Sequence, residues 1–324
     1  MKILITGASG FIGSHLADRL CRSGHDVYCL VRESSDLTWL QGLQVHYLTG
    51  DCTSIDCVSG SERDFDFVFH LAGLTKSNKR DDYYRVNADG TMNMVRWASE
   101  NCSSLKRFVY LSSLAAFGPG TGSGFPDDDR ACCPVSDYGR SKLEGEDAVM
   151  SYSDRIGACI LRPSAVYGPR DREFFLVFQC VRNRIMPYWG DGYTSMIYIE
   201  ELIDALVMAA EIPAAAGGIY NISDGSLYSN REIIDTIAKV YGVNVLKLRV
   251  PRALLPAIGF FGDKISKMMN KKIMINSDKV KELGYANWTC GIESAKHDLG
   301  FKPAVDMKEG FKWTADWYRI QGWL

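Results

Sequence analysis

The run Lys2-Ile3-Leu4-Ile5-Thr6-Gly7-Ala8-Ser9-Gly10-Phe11-Ile12-Gly13 decides the fold. Its first residues read as a β-strand, and an amphipathic helix is expected over about 11–23. Between them stand three glycines at intervals of three. Gly7 allows the tight turn, Gly10 lets the backbone approach a pyrophosphate, and Gly13 lets helix and strand pack closely. The diphosphate then rests on the helix N-terminus. A dinucleotide is the expected occupant.

The next strand, near 26–31, identifies the nucleotide. An acidic residue at its end would hold the ribose hydroxyls of NAD. Here the chain reads Val31-Arg32-Glu33-Ser34-Ser35, and an arginine followed by serines suits a 2'-phosphate. NADP is therefore expected, with NAD as the alternative and Glu33 as the residue that would reverse the choice. Asp51, after the third strand, is a candidate for the adenine amino group or else a loop cap.

Further strands near 44–48, 66–70, 106–112 and 157–162, with helices near 82–101 and 138–151, continue the alternation. It predicts an α/β fold, a doubly wound parallel sheet covered on both faces. Val68-Phe69-His70-Leu71-Ala72 and Phe108-Val109-Tyr110-Leu111 are the continuous apolar runs of strands buried on both sides. The Gly-, Pro- and Asp-rich segment 119–134 is expected to be a mobile loop over a site. After about residue 170 the pattern turns mostly helical. The expected organisation is a nucleotide-binding domain over 1–170 and a smaller, mostly helical substrate lobe over 171–324, with some segments interleaved. Trp313, Trp317, Tyr318 and Trp323 read as a packing face.

Bulk properties exclude several classes of partner. A net charge of -2 and a pI near 6.2 make no electrostatic case for nucleic acid or an anionic membrane surface. No apolar run is long enough to span a bilayer and no leader pattern is visible, so a cytoplasmic protein without an integral membrane segment is expected. The ten cysteines contain no Cys-x-x-Cys, Cys132 and Cys133 are adjacent, and the five histidines contain no His-x-x-x-His. Reduced core thiols and no metal site are expected.

The chemistry is carried by Tyr138-Gly139-Arg140-Ser141-Lys142. A spacing of four on a helix puts the tyrosine and lysine one turn apart on one face. An ammonium about 4 Å from a phenol, at an effective dielectric of about 20, contributes roughly 4 kcal/mol and would pull the phenol pKa down by up to about three units. The fifth strand ends Tyr110-Leu111-Ser112-Ser113, at the carboxyl edge where doubly wound sheets keep their ligands. A hydroxyl there can bond a substrate oxygen while Tyr138 exchanges its proton and Lys142 tunes the phenol and holds the nicotinamide ribose. Together these roles describe hydride transfer at a secondary alcohol or ketone.

With these motifs the chain resembles the extended short-chain dehydrogenase/reductase superfamily. That group holds NDP-sugar epimerases and dehydratases, 3β-hydroxysteroid dehydrogenases and dihydroflavonol-type reductases. The matching stretches are Thr6 to Gly13, Gly50-Asp51, His70 to Gly73, Asn87 to Thr91, Ser112 to Gly118, Tyr138 to Lys142, Arg162-Pro163 and Val166 to Pro169. They fall in the family's order. The resemblance implies a Rossmann sheet, a catalytic triad of Ser113, Tyr138 and Lys142, and a nicotinamide near Pro163 and Val166. It also implies cofactor contacts from Gly7, Ser9, Gly10, Phe11, Ile12, Gly13, Arg32, Asp51, Cys52, Leu71, Ala72, Gly73 and Lys142. His70 matches a structural position, and Asn87 a packing or hydrogen-bonding one. A homodimer through the helices near 82–101 and 138–151 is common in the family.

Departures from the family pattern bear on the substrate. Dehydratases carry an acidic pair directly after the catalytic hydroxyl, where this chain has Leu114 and Ala115. Sugar-nucleotide enzymes carry an asparagine in the sixth-strand motif, where this chain has Ala165 in Arg162-Pro163-Ser164-Ala165-Val166-Tyr167-Gly168-Pro169. The run 190–199, Gly-Asp-Gly-Tyr-Thr-Ser-Met-Ile-Tyr-Ile, lacks the arginine that grips a diphosphate. Each lost charge-assisted contact is worth about 1.5 to 3 kcal/mol; Arg170 or Arg172 could substitute. The expected substrate is a fairly apolar small molecule, as in the 3β-hydroxysteroid dehydrogenase or dihydroflavonol reductase branches. Thr75, Leu114, Phe117, Ala165, Phe174, Phe178 and Met196 are the expected pocket residues, although the Phe174 to Phe178 stripe reads equally as core. The alternative is an NDP-sugar 4-epimerase with tightly bound NAD; a third reading is a non-catalytic cofactor-binding subunit. The apolar run Leu254 to Phe261, followed by lysines, reads first as a packed lobe helix, and otherwise as a cover for an apolar ligand or a membrane contact.

Overall fold

Seven strands form one parallel sheet: β1 (Lys2–Thr6), β2 (Asp26–Val31), β3 (Val45–Thr49), β4 (Phe67–His70), β5 (Arg107–Leu111), β6 (Ala158–Pro163) and β7 (Ile219–Ile222). Their order across the sheet is β7-β6-β5-β4-β1-β2-β3. The computed structural model describes residues 1–54, 58, 62–122, 124–128, 130–269 and 275–324. The order reverses between β1 and β4, which pair with Thr6 opposite His70. Loops leaving those strands diverge to opposite faces there and open a crevice at the carboxyl edge.

Side-chain alternation along β1 shows why both faces are covered. Ile3 and Ile5 join the core that contains Leu16, Ala17 and Leu20 of α1 (Phe11–Arg22). Leu4 points the other way, into the core of Met94, Val95 and Ala98 from α2 (Gly90–Asn101) and Val149 from α3 (Asp137–Met150). Phe108, Tyr110 and Ile160 complete that second face. Among the described residues, no helix is long and apolar enough to cross a membrane.

The second half returns to the sheet before leaving it. After α4 (Arg172–Arg182), helix α5 (Ile199–Glu211) packs Leu202, Ile203 and Leu206 into the α1 face, and β7 adds to the edge beside β6. β7 is only Ile-Tyr-Asn-Ile, too short for a period-2 signal, so no local pattern in the sequence marks it. The remaining elements include α6 (Leu255–Met269), α7 (Lys279–Leu283) and α8 (Met307–Ile320). The aromatic ring of Phe178 lies 5.4 Å from those of Phe311 and Tyr318, and Phe175 lies 5.3 Å from Trp323. Trp39, from the first half, approaches Trp317 at 5.7 Å. Trp317, Tyr318 and Trp323 thus pack as expected, while Trp313 stays half-exposed against Tyr198 at 5.5 Å.

The segment expected to be a mobile loop is laced to the body along its described residues. Gly120 N–H donates to Asn287 O at 3.0 Å, and Thr289 Oγ1 to Gly124 O at 2.9 Å. Arg130 donates to Gly118 O at 2.8 Å and holds its guanidinium 3.9 Å from the Phe117 ring centroid.

Candidate active site

The β1–α1 turn requires its glycines. Gly7 has φ +71°, and a Cβ there would stand 2.7 Å from Ala72 N. A Cβ on Gly13 would overlap the Gly7 carbonyl. No side chain caps the start of α1, so its first-turn N–H groups remain available to an anion. Cradle and uncapped terminus fit the diphosphate of a dinucleotide. Arg32 is exposed just past β2, and its N–H donates to Ser35 Oγ at 3.0 Å. Asp51 Oδ1 accepts Thr53 N–H at 2.9 Å, so one oxygen caps the loop while Oδ2 has no such partner among the described residues. Cys52 is buried against Gly90, and burial pushes its thiol up to about 11.

A hydrogen-bonded chain behind the cradle orders the loop after β4. Ala72 N–H donates to Thr6 Oγ1 at 3.1 Å, and Thr6 Oγ1 meets His70 Nδ1 at 2.7 Å. His70 Nε2 meets Thr91 Oγ1 at 3.1 Å, and that hydroxyl donates to Asn87 O at 2.7 Å. The tautomer consistent with this chain carries its proton on Nε2. Burial holds the imidazole down to about 3, so it is neutral and both nitrogens are occupied. Asn87 sits in a π-helical turn, Arg85–Asp89, a distortion common at functional sites. Its Oδ1 accepts Leu74 N–H at 2.7 Å, and its Nδ2 donates to Leu74 O at 3.1 Å and Ser141 Oγ at 2.9 Å. Asn87 therefore ties the post-β4 loop to α3 between Tyr138 and Lys142.

Ser113, Tyr138 and Lys142 converge at the end of β5. Ser113 caps the short helix Leu114–Phe117, its Oγ accepting Ala115 N–H at 3.1 Å. Tyr138 lies in the first turn of α3 and is hydrogen-bonded to Ser113. Lys142 is buried, and its Nζ donates to Leu111 O at 2.7 Å and lies 4.2 Å from the Tyr110 ring centroid. The electrostatics differ from the helix-spacing expectation. Burial pushes the Tyr138 phenol up to about 12, with the Ser113 hydrogen bond opposing, and brings Lys142 down to about 7. A lowered phenol would require an ammonium facing it in a polar medium. Here the Leu111 carbonyl takes the ammonium, and desolvation disfavours both charges. The arrangement offers a neutral phenol able to donate a proton, a hydroxyl beside it, and an amine poised near neutrality.

The expected pocket residues divide. Thr75 is exposed on the post-β4 loop, and Ala165 and Phe174 are half-buried. Leu114 and Phe117 form a separate buried cluster with Cys290, Phe178 belongs to the aromatic core, and Met196 is wholly buried beneath α5. Those four face packed neighbours, because a helical apolar stripe has the same period whether it lines a cleft or a core. The substituting arginines are also committed elsewhere. Arg170 donates to Ser14 Oγ at 3.1 Å beneath Trp39, and Arg172 lies 5.1 Å from the Trp323 ring.

The structure adds residues that no local signal marked. Asp278 accepts Asp137 N–H at 2.8 Å and Tyr138 N–H at 3.0 Å, capping the helix that carries the phenol. Glu282 accepts the Ser136 hydroxyl at 2.7 Å and pairs with Lys279 at 2.7 Å. Lys76 bridges to Glu173 across the cleft at 2.7 Å. A lost cap costs about 1 kcal/mol. Asp278→Ala is expected to lower kcat by roughly tenfold with the cofactor KM unchanged, and Asp278→Asn, which keeps one acceptor, to restore part of it. Steady-state kinetics on both variants checks this.

Three Arg side chains from distant positions meet the Gly190–Gly192 turn. Arg231 pairs with Asp191 at 3.0 Å, Arg252 donates to Asp191 O at 3.1 Å, and the Arg249 guanidinium lies 3.7 Å from the Cβ position of Gly190. The run 190–199 itself holds no base; these three arginines reach the turn from elsewhere in the chain.

Comparison with known proteins agrees with this geometry. The model of the NAD dependent epimerase/dehydratase family matches residues 3–223. A ceramide reductase of Caulobacter vibrioides is 31% identical over 327 aligned positions, covering 99% of this chain and 96% of the relative. A UDP-glucose 4-epimerase of Vibrio cholerae is 29% identical, covering 97% of this chain and 94% of that one. The crystal structure of a UDP-glucose 4-epimerase from Thermotoga maritima superimposes with a TM-score of 0.80 at 21% identity, covering 99% of both chains. Glycine cradle, strand order and matched length together make the chain a member of the NAD dependent epimerase/dehydratase family, within the extended short-chain dehydrogenase/reductase superfamily.

Proposed function

We propose that the protein is an NADP-preferring oxidoreductase acting on a secondary alcohol or ketone of an apolar, lipid-like substrate. The observation that carries the reaction class is the convergence of Ser113, Tyr138 and buried Lys142 beside the dinucleotide cradle. When bound, the nicotinamide supplies or accepts the hydride. In the reductive direction, Ser113 Oγ and the Tyr138 hydroxyl hold the carbonyl oxygen, and Tyr138 gives it a proton as the hydride reaches carbon. Lys142, its Nζ held by the Leu111 carbonyl, would contact the nicotinamide ribose, as the family resemblance implies. Gly7, Gly10 and Gly13 would hold the diphosphate, and Arg32 the 2'-phosphate.

Support for an apolar substrate comes from Ala165, a methyl where a sugar ligand would need an amide, and from the full-length similarity to a ceramide reductase. The cofactor choice rests on Arg32. Its replacement by alanine is expected to raise the KM for NADPH roughly tenfold or more, since a charge-assisted contact is worth about 1.5 to 3 kcal/mol. The KM for NADH should stay unchanged.

A second reading, a nucleoside-diphosphate-sugar epimerase using NAD, is favoured by Arg231, Arg249 and Arg252 around the Gly190–Gly192 turn. One experiment separates the two. NADPH consumption is followed with long-chain keto lipids, and thermal shift is read with UDP and other nucleoside diphosphates. Turnover with NADPH and no nucleoside-diphosphate shift supports the first reading; a large shift with NAD preference and no lipid turnover overturns it.

A further inference from the structure

We infer that α6 is a membrane-docking helix whose partner is the surface of an anionic phospholipid bilayer. Its packing is inverted relative to a soluble surface helix. The buried positions are Leu255, Gly259, Gly262 and Ser266, spaced to form one face. A Cβ on Gly259 would come within 2.8 Å of Val280 and 3.0 Å of Ser277, and one on Gly262 would overlap the Ile275 carbonyl. After Leu255 the inward positions are small, and α6 lies hard against the segment leading into α7. The large apolar ones turn outward: Phe260 is 53% exposed, Phe261 61%, Ile265 45%, Met268 82% and Met269 55%. Ordinary amphipathic helices do the reverse. A contiguous exposed apolar face of this kind marks a contact surface.

Charge selects the partner. Lys264 and Lys267 are exposed on α6 and form no ion pair among the described residues; the Lys264 ammonium lies 4.7 Å from the Phe260 ring centroid. The only acid in α6, Asp263, accepts Ser277 N–H at 3.2 Å on the protein side. Lys79 adds a further exposed cation, next to Asn78, whose Oδ1 accepts the Ser266 hydroxyl at 2.8 Å. Aromatic and aliphatic side chains flanked by lysines that form no ion pair among the described residues complement an acyl layer beneath anionic headgroups. The net charge of -2 concealed this, because it averages over the whole chain. A second copy of the chain would bring the same lysines against themselves.

Position gives the surface a use, which rests on the proposed apolar substrate. The segment on which α6 lies carries Asn276, which donates to Ser77 O at 3.3 Å, and Asp278, which caps the Tyr138 helix. A bilayer held on α6 would abut the lip of the cleft, so an apolar substrate could reach Tyr138 from the membrane without crossing water.

The test is flotation of the full chain with vesicles of phosphatidylcholine alone or mixed equally with phosphatidylglycerol, without substrate. The wild type is expected to float with the mixed vesicles and to be released by salt. The double variant Phe261→Asp, Met268→Asp should lose at least tenfold of that binding. Lys264→Glu with Lys267→Glu should abolish the preference for phosphatidylglycerol. All four positions are exposed, and kcat/KM on a short-chain, water-soluble ketone should stay at the wild-type value, showing that fold and site are intact. Failure of the wild type to float, equal flotation of the Asp variant, or a dimer that only the Asp variant dissociates while neither protein binds vesicles would each overturn the inference. Vesicle binding with no turnover of any lipid ketone would uphold the docking helix and sink the substrate reading.

Discussion

Replacing Tyr138 with phenylalanine is expected to lower kcat about 10³-fold, within the range that a positioned proton donor contributes, while cofactor Kd changes little. The side chain keeps its ring, so packing 6.2 Å from the Tyr83 ring survives. Only the hydroxyl bonded to Ser113 is lost. Because burial pushes that phenol up to about 12, it would enter the proposed reduction as a neutral donor. The proposed cofactor contacts, the glycine turn and Lys142, are not altered by the substitution. Stopped-flow turnover and fluorescence titration with NADPH read the two quantities separately. Activity persisting within about tenfold of wild type would remove Tyr138 from the proton-transfer role.

The second large effect lies behind the site. Glu146, one helical turn beyond Lys142, is buried with Arg162 in a two-point ion pair, Nε to Oε1 at 2.9 Å and Nη2 to Oε2 at 2.5 Å. Ser112, adjacent to Ser113, donates to the same carboxylate, and Arg162 also reaches Cys132 Sγ at 3.1 Å. Glu146→Ala strands a buried guanidinium, and breaking such a pair costs about 3 to 5 kcal/mol. For a chain of 324 residues that corresponds to a fall in unfolding midpoint of roughly 4 to 7 °C. Removing both charges with Glu146→Leu and Arg162→Met should cost less than either single change, since no unpaired charge remains. Thermal and urea unfolding of the three variants decides this; additive losses would mean that the residues contribute through packing alone. The same carboxylate raises the Lys142 pKa against the effect of burial, so its loss also bears on the site.

The dinucleotide-binding half was legible because its signals are local. Gly7 needs a positive φ and Gly13 needs the absence of a Cβ, and each requirement appears within a dozen residues of sequence. Strands β1, β4, β5 and β6 were equally readable, since burial on both faces leaves continuous apolar runs. β7 escaped notice, being four residues added late to an edge. The helical stripe of Phe174 and Phe178 was ambiguous for a physical reason: periodicity reports that one face is apolar and not what it faces.

By itself, then, the sequence determined the fold class, the glycine cradle, and the order in which Ser113, Tyr138 and Lys142 arrive at one sheet edge. Tertiary structure alone decided the state and surroundings of those groups. It turned the Lys142 ammonium to the Leu111 carbonyl, raised the phenol where helix spacing suggested lowering, and brought Asp278 onto the Tyr138 helix from far downstream. It also gathered Arg231, Arg249 and Arg252 at a turn whose own run holds no base, and it faced Phe260, Phe261 and Met268 outward. Turn and helix preferences act over a few residues and are written locally. Desolvation and charge depend on every atom packed nearby, so only the folded chain sets them.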